Sequence, residues 1–299
     1  MKFLILYECS SNDWTLLEWR RNNIDAYIIF KPVPKILRMV RRIWIKLNFP
    51  FQHIWYSNIW KKNIENADVV VVHMSKLVGA LPQYLNKLNP KARVVAWYWN
   101  SVSISLKPSL VKGNCSIWSF DPVDCEKYGM KFNHQYYFKS LIQKKNSEEY
   151  DIYYHGGDSG RGKSLVELYN LINSSNLKCY MKIVHPIYEH IPEYMKSPII
   201  PYSEIIKQTS KSRCLLEVLR PYQSGPTLRL MEALFNKKKI ITTNRSIKNE
   251  PFYRDNNIFI IGERPIEKLY DFVKSDYENP GDRYIDEYDV KSWLENFIK

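Results

Sequence analysis

Short apolar runs, separated by polar loops and by segments of helical periodicity, dominate the pattern of this chain. In the first half they predict strands at KFLILY, IDAYIIF, ADVVVVH, RVVAWYW and CSIWSF, and an edge strand at FNHQYYF. A helix from Trp14 to Arg21, capped by Asn12 or Asp13, and another helix ending near Leu88 lie between them. Alternating strands and helices with short connections predict a doubly wound parallel sheet.

The same alternation starts again after a polar, charged stretch from Lys139 to Tyr150, which we interpret as a linker. Strands are predicted at DIYYH, KCYMKIVH, CLLEVL, IITT and NIFII, and two helices close the chain, from Pro265 to Ser275 and from Val290 to Ile298. We therefore predict an α/β protein with two Rossmann-like domains, residues 1–145 and 146–299. The last helix is expected to pack back on the first domain.

Charge and cysteine usage narrow the partners and the compartment. The formal net charge of +13 predicts an anionic partner, which can be nucleic acid, a membrane surface or a phosphorylated small molecule. The cysteines are odd in number and form no C-x-x-C pair, which argues for a reducing compartment and against a zinc site. The opening FLILY is too short for a signal peptide, and no window approaches a membrane span. The chain is expected to be cytoplasmic.

The loop GDSGRGKS, residues 157–164, matches the P-loop pattern between a predicted strand and a predicted helix. A P-loop kinase also needs a carboxylate at the end of a later strand to hold magnesium. The later strands are predicted to end at His185, Leu219, Asn244 and Gly262, none of which is acidic. Freed backbone amides beside Arg161 and Lys163 still predict a phosphate site. The alternative is a glycine-rich turn with two solvated cations.

The stretch PYSEIIKQTSKSRCLLEVLRPYQSGPTLRLMEALFNKKKIITTN predicts helix, buried strand, polar loop, helix and buried strand. Ser224 and Gly225 suit a helix cap, and Pro226 suits the first helical position. Because open α/β sheets bind ligands where such a loop follows a parallel strand, we expect an anion there. Arg229 and Glu232, three residues apart, are expected to share one face of the helix. A nucleoside diphosphate is the predicted ligand.

From Asp151 to the C terminus, the chain resembles the donor-binding domain of GT-B glycosyltransferases, especially the bacterial enzymes of lipopolysaccharide and capsule assembly. The segments that carry the resemblance are GGDSGRGK, YSEIIKQTSKSRCLLEV, QSGPTLRLMEALFNKKKIITTN and NIFIIG. The N-terminal half resembles these enzymes in architecture alone. The resemblance implies two Rossmann-like domains that face each other across a cleft.

The resemblance also implies roles for individual residues. Glu232 is expected to hold the ribose hydroxyls of the donor. The diphosphate is expected to contact loop amides, a basic pair in the first loop and one further arginine; these residues are Gly157, Arg161, Lys163, Ser224, Gly225, Thr227 and Arg229. Many retaining members carry a second Glu eight positions before the first, where this chain has Ser224. Whether the reaction inverts or retains configuration therefore stays open.

The implied reaction moves a sugar from a nucleoside-diphosphate sugar to an acceptor hydroxyl. The sequence has no Asp-x-Asp pair, so we expect no metal and no other cofactor, with cations and helix amides stabilising the leaving diphosphate. An inverting enzyme would need a general base from the first domain. Strand ends offer Glu8, Asp13, His73 and Asp121, and we favour Asp13 and His73 because they flank the predicted cleft. A helix cap and a buried strand-end histidine are their structural alternatives.

The segment from Lys31 to Lys62 mixes basic and bulky apolar residues. One interpretation is a basic surface, bearing Trp44, Trp55 and Trp60, that meets an anionic membrane and a lipid-linked saccharide acceptor. The other is an amphipathic helix that packs on the sheet with a solvated basic face. No recognised nucleic-acid module is present, so we expect no nucleic-acid partner. The residues Trp97, Tyr98 and Trp99 either stack on an acceptor sugar or belong to the core.

The resulting hypothesis is a hexosyltransferase of bacterial surface-polysaccharide assembly that works in the cytoplasm, at the inner face of the plasma membrane. Three alternatives stay open. A P-loop ATP-dependent kinase would use GDSGRGKS and bind ATP with magnesium. A nucleotide-sugar-binding protein without activity would bind the donor and release no nucleotide. A basic nucleic-acid binder would show steep salt dependence.

Overall fold

The computed structural model of the protein describes residues 1–10, 13–144, 146–220 and 223–299. The described residues fall into two compact units. The first comprises Met1–His134 together with Leu294–Lys299, and the second comprises Gln135–Trp293.

The first unit is built on a parallel sheet. Its strands are β1 (Phe3–Tyr7), β2 (Asp25–Ile28), β3 (Val69–His73), β4 (Arg93–Tyr98), β5 (Ser116–Ser119) and β6 (Lys131–Phe132). They lie side by side in the order β2-β1-β3-β4-β5-β6. Its helices are α1 (Trp14–Arg21), α2 (Lys35–Lys46), α3 (Asn58–Lys61), α4 (Leu81–Leu88) and α5 (Pro122–Tyr128).

Local sequence explains most of these elements. Every residue of the valine-rich β3 is buried, as expected for a central strand covered on both faces. Helix α1 has the predicted bounds. At its start the Asp13 side chain accepts from the backbone N–H of Thr15, and at its end Arg20 and Arg21 occupy the last turn. The other predicted cap, Asn12, lies outside the described residues. The edge strand predicted at FNHQYYF is wrong beyond Phe132, because pairing with β5 ends there and only an isolated bridge between Tyr137 and Asp289 follows in the described residues.

The second unit contains a second parallel sheet. Its strands are β7 (Tyr150–Gly157), β8 (Cys179–Val184), β9 (Lys196–Ser197), β10 (Ser212–Glu217), β11 (Lys239–Thr242) and β12 (Ile258–Ile260), in the order β12-β11-β10-β7-β8-β9. Its helices are α6 (Gly162–Asn173), α7 (Tyr202–Ser210), α8 (Leu228–Phe235), α9 (Leu269–Lys274), α10 (Arg283–Glu287) and α11 (Val290–Glu295), of which the last spans the boundary between the units.

In each sheet the first strand along the chain lies inside the sheet rather than at its edge. β1 lies between β2 and β3, and β7 lies between β8 and β10. The order in which successive strands are added to the sheet therefore reverses at these strands. The crevice beyond their carboxyl ends is where open α/β sheets bind ligands. In the second sheet, Leu215 of β10 stands opposite Tyr153 of β7, so the loops after Gly157 and Glu217 leave from the same edge.

The closing part of the chain is shorter in helix than predicted. A 3₁₀ turn at Ile266–Lys268 precedes α9, and α11 stops at Glu295. The last residues pack within the first unit, where the ring of Phe297 lies edge-on to Trp97 and Trp118 and its carbonyl accepts from Arg93. Among the described residues, no helix has the length and apolar character needed to cross a bilayer.

Candidate functional site

The glycine-rich loop after β7 is organised around Asp158. The buried Asp158 carboxylate accepts hydrogen bonds of 2.7 to 3.0 Å from four backbone N–H groups, those of Gly160, Gly162, Ile187 and Tyr188. Burial alone would raise the pKa of Asp158, but these donors hold that pKa below its ordinary value. The loop is therefore closed on an ionised carboxylate that the chain itself supplies.

This geometry argues against a P-loop. A P-loop uses its backbone amides to cradle phosphates, whereas the amides of Gly160 and Gly162 donate to Asp158 here. The expectation that this loop frees its amides for a phosphate is wrong at these two positions. A glycine is nevertheless required at Gly162, since a Cβ there would lie 2.5 Å from the Cβ of Tyr188.

Arg161 links the loops that follow β7 and β10. Its guanidinium donates to the carbonyl oxygens of Gly157 and Val218, each at 2.5 Å, and its Nε donates to the carbonyl of Asp158 at 3.1 Å. A guanidinium has five N–H donors, so these bonds do not exhaust it. Lys163 differs: its ammonium group is solvent-exposed and lies 3.9 Å from Glu167. The roles of Gly157, Arg161 and Lys163 with a diphosphate stay predictions.

Helix α8 begins later than its sequence suggests. Thr227, rather than Ser224 or Gly225, is the N-cap, and its hydroxyl accepts from the backbone N–H of Arg229 at 3.1 Å. Pro226 therefore precedes the helix. The reason is tertiary, because the Glu217 carboxylate accepts from both the N–H and the hydroxyl of Thr227, at 3.0 and 2.6 Å.

Glu217 is the last residue of β10, so the expectation that no later strand ends at a carboxylate is wrong. Its second oxygen accepts from the Thr242 hydroxyl at 2.6 Å. Burial raises the pKa of Glu217, and the hydrogen bonds from Thr227 and Thr242 offset part of that rise. Glu217 thus ties the ends of β10 and β11 to the start of α8.

Ser224 and Gly225 lie in the loop before α8, as predicted. The Ser224 carbonyl accepts from the Ser246 hydroxyl at 2.9 Å, and the Gly225 carbonyl accepts from the side chain of Gln223 at 3.3 Å. These contacts use carbonyl oxygens. The predicted contact of the Ser224 and Gly225 amides with a diphosphate stays a prediction.

Arg229 and Glu232 share one face of α8, as predicted, and form an ion pair of 2.9 Å. Glu232 is 4% exposed, and its other oxygen accepts from the Tyr202 hydroxyl at 2.7 Å. Arg229 also donates to the carbonyl of His155 at 2.8 Å. Burial lowers the pKa of Arg229, but the neighbouring groups, led by the charge of Glu232, raise it, and the net result is a raised pKa. Within this network the positive charge of Arg229 balances the negative charge of the Glu232 carboxylate. Contact of Glu232 with a ribose would therefore require the exchange of one of these partners.

Three guanidinium groups at this edge, those of Arg161, Arg229 and Arg220, act electrostatically on Tyr154. Burial raises the pKa of the Tyr154 hydroxyl, and the positive charges of Arg161, Arg229 and Arg220 each lower it. Burial likewise lowers the pKa of Arg161, and the like charges of Arg220 and Arg229 add to that effect. Arg220 is exposed, unlike Arg229. These guanidinium groups lie at the same edge as the carboxylates of Asp158, Glu217 and Glu232, and they supply the positive charge that a diphosphate requires.

The sequence interpretation missed Asp158, Glu217 and Arg220. Asp158 stands directly after Gly157 inside the motif, and only its pairing with the distant amides of Ile187 and Tyr188 reveals its role. Glu217 was visible as the one charge within the apolar run CLLEVL. A buried carboxylate at a strand end needs partners, and that signal could have identified it.

The corresponding edge of the first sheet is aromatic. His73, at the end of β3, is 1% exposed and stacks on Tyr7 of β1, with ring centres 3.6 Å apart. Trp99 lies edge-on to both rings, at 6.1 and 6.3 Å, and is itself exposed. Burial lowers the pKa of His73 well below its ordinary value. The imidazole is therefore neutral at physiological pH.

The remaining base candidates serve local structure. Asp13 caps α1 and is half-buried, and Asp121 caps α5 by accepting from Val123 and Asp124. The Glu8 carboxylate accepts from the Ser75 hydroxyl. The catalytic roles of Asp13 and His73 stay predictions.

Other aromatic predictions divide. Trp97 and Tyr98 are core residues, so stacking on an acceptor sugar is left to Trp99. Trp60 is also buried, and its indole donates to the carbonyl of Ile29 at 3.0 Å. Its predicted place on a membrane surface is therefore wrong. Within the described part of the chain, no group of three or more His, Cys, Asp or Glu side chains is arranged to hold a metal ion.

Comparison with known proteins agrees with this architecture. No protein-family model matches the sequence, and neither does any curated protein. Among solved structures, AviGT4, a glycosyltransferase of avilamycin A biosynthesis, aligns with a TM-score of 0.61 and 10% identity over 100% of this chain and 96% of its own. Anabaena HepE, in complex with UDP and glucose, aligns with a TM-score of 0.57 and 9% identity over 100% and 98%.

A DNA-modifying β-glucosyltransferase, solved with and without uridine diphosphoglucose, aligns with a TM-score of 0.56 and 11% identity over 99% of this chain and 98% of its own. At such low identity these likenesses concern the fold. They extend over essentially the whole chain, which carries two parallel α/β sheets. The prediction is confirmed: the protein has the GT-B fold.

Proposed function

We propose that this protein is a glycosyltransferase that moves a hexose from a nucleoside-diphosphate sugar to a saccharide hydroxyl. The observation that carries the proposal is the presence of Arg161, Arg220 and Arg229 together at the carboxyl edge of the second sheet in a GT-B fold. Two of the aligned proteins were solved with UDP or UDP-glucose, so a UDP-sugar is the donor we propose first.

In the reaction, the bond between the anomeric carbon and the diphosphate oxygen breaks while a bond to the acceptor oxygen forms. Negative charge grows on the departing diphosphate, and nearby guanidinium groups stabilise it. We propose that Arg220 and Arg229 do this, with Arg161 holding the loop edge through Gly157 and Val218. No metal or other cofactor is needed in this scheme.

The acceptor hydroxyl must give its proton to a base if the reaction inverts configuration. Asp13 and His73 are the candidates. Asp13 is the more accessible of the two, whereas His73 is enclosed by Tyr7 and Trp99. Trp99, exposed beside Tyr7 and His73, offers an aromatic ring on which a sugar can stack.

We further propose that the acceptor is a lipid-linked saccharide in bacterial surface-polysaccharide assembly. The support is an exposed basic and apolar segment in the first unit, around α2. All five cysteines are free thiols, in keeping with work at the cytoplasmic face of the plasma membrane.

A thermal-shift panel of UDP, GDP, CMP and ATP, with EDTA or with magnesium, tests the donor proposal. Stabilisation by a nucleoside diphosphate in EDTA is expected. If ATP with magnesium is the only combination that stabilises the protein, and Lys163→Ala abolishes that stabilisation, the protein is instead a P-loop kinase. Release of free UDP from a UDP-sugar on addition of acceptor separates an enzyme from a mere binding protein.

A further inference from the structure

Helix α2 turns its apolar stripe away from the core of the first unit. Ile36, Val40, Ile43 and the following Leu47 recur at helical spacing and share one face. All of them are exposed, Ile36 by 72% and Leu47 by 61%. In an ordinary surface helix such a stripe packs against the core. Here it faces outward.

The opposite side of α2 attaches the helix to the unit. Arg41 and Ile45 are its buried residues. The Arg41 guanidinium lies 4.3 Å from the ring centre of Phe30 and donates to the carbonyl of Lys31 at 3.2 Å. At about 3.6 residues per turn, Arg41 and Ile45 lie across the helix from the apolar stripe. The outward direction of the stripe is therefore a property of the folded unit.

The chain after α2 enlarges this surface. Trp44 is held by a hydrogen bond to the carbonyl of Pro50 at 2.8 Å, with Phe49 and Trp55 edge-on to its ring. Further large apolar side chains in the same stretch of chain are exposed. We call the following exposed residues the apolar patch: Ile36, Val40, Ile43, Leu47, Phe49, Phe51, Ile54 and Ile59.

The charged side chains that this segment of the chain supplies beside the apolar patch are all positive. No Asp or Glu occurs between Asp25 and Glu65. By helical spacing, one flank of α2 carries Lys35, Arg38, Arg42 and Lys46. Two copies of this surface pressed together would bring these cations toward each other, whereas an anionic partner would neutralise them.

We propose that the apolar patch and its basic flank dock the protein on an anionic lipid bilayer, with α2 lying in the plane of the interface. The aliphatic side chains enter the boundary between headgroups and acyl chains, and the lysines and arginines extend to the anionic headgroups. This surface would serve the membrane-side reaction proposed above, but its existence does not depend on that reaction.

A cavity beside the apolar patch supports a headgroup contact. It has a volume of about 240 Å³ and is bordered by Phe49, Phe51, His53, Lys87 and Lys112. Lys112 donates to the side chain of Asn48 at 2.8 Å, which holds its ammonium group near this rim. The two lysines at its border provide the positive charge that a phosphate headgroup requires.

Vesicle flotation tests the proposal without any activity assay. The wild-type protein should bind vesicles of phosphatidylcholine mixed with phosphatidylglycerol, and bind pure phosphatidylcholine much more weakly. The double variant Val40→Asp with Ile43→Asp should lose about tenfold or more in affinity, because two carboxylates would enter an apolar, anionic interface. Failure of the wild-type protein to bind the vesicles that contain phosphatidylglycerol would overturn the proposal.

Matched controls use exposed leucines elsewhere. Leu17 on α1 and Leu171 on α6 are 46% and 38% exposed, against 49% for Ile43 and 38% for Val40. The double variant Leu17→Asp with Leu171→Asp should bind vesicles as the wild type does. Equal loss in both double variants, or no loss in either, contradicts the proposed surface. If light scattering shows that the wild type is a dimer, that Val40→Asp with Ile43→Asp makes it a monomer, and the wild type does not bind vesicles, the patch is instead an interface with a second copy.

Discussion

The carboxyl edges of the two sheets share a topology and differ in chemistry. Each lies where the first strand of a sheet is inside rather than at the edge. In the first sheet this position holds Tyr7, the neutral His73 and Trp99. In the second it holds the ionised Asp158 and several arginines. The rings of the first edge suit the stacking of an uncharged sugar, and the arginines of the second suit a polyanion.

The difference shows how one backbone arrangement serves two kinds of ligand. Parallel strands supply the crevice, but the residues just beyond their ends decide what enters it. In the second unit these residues are also bound to one another, because Asp158, Glu217 and Glu232 all have partners within the protein. Its charged edge is therefore both a candidate binding site and a structural network.

The largest expected effect comes from splitting the buried ion pair. Arg229→Leu leaves the Glu232 carboxylate buried without its partner, and we expect a loss of about 3–5 kcal/mol in the free energy of unfolding, measured by urea titration. Adding Glu232→Leu to this variant should restore part of that loss. Arg245→Leu, which removes an exposed partner of Glu263, is the control and should change stability little. A single variant as stable as the wild type would show that the pair is not structural.

Asp158→Asn should have the next effect. An amide cannot accept from all four backbone donors, and we expect a loss of about 2–3 kcal/mol in unfolding free energy. Since the folded pKa of Asp158 is lowered from 3.8, its contribution is present above that pH and is lost as the pH falls further. The gap between wild type and variant should therefore narrow in acid.

The control for this experiment is Asp255→Asn, at an exposed aspartate that accepts from Tyr253 and Arg264. It should cost much less. If Asp158→Asn costs no more than Asp255→Asn, the amides of Gly160 and Gly162 do not depend on Asp158. The P-loop alternative would then regain support.

Arg220→Ala tests the role of the arginines at the second edge through ligand binding rather than through stability. Arg220 is exposed, so the melting temperature should stay unchanged. Removing one guanidinium from the diphosphate should weaken UDP binding about tenfold, or about 1.4 kcal/mol, by isothermal titration calorimetry at low salt. Arg283→Ala, at another exposed arginine of the second unit, should leave the affinity as it is. Equal affinities for both variants would remove Arg220 from the site.

The two edges also differ in how far the sequence could predict them. Runs such as VVVV and LLE identified the strands, and Asp13 with Arg20 and Arg21 gave α1 its bounds. The start of α8 was missed because Thr227 is chosen as cap by Glu217, ten residues earlier. Local propensity favoured Ser-Gly-Pro there. Contacts between separate loops are not encoded in the spacing of any one of them.

The smallest expected effect concerns the aromatic edge of the first sheet, and it is measured as the pH dependence of stability. The pKa of His73 is lowered from 6.5 by burial, so folding expels a proton from the imidazole between that value and the lowered one. Stability from this source is therefore present above pH 6.5 and is lost as the pH falls. His73→Phe keeps an aromatic ring against Tyr7 and cannot be protonated. Melting temperatures of the two proteins should run in parallel above pH 6.5, and the wild type should fall below the variant in more acidic buffer. Parallel curves throughout would mean that His73 binds a proton as readily as an exposed histidine, and such a group is a better general base than the buried imidazole.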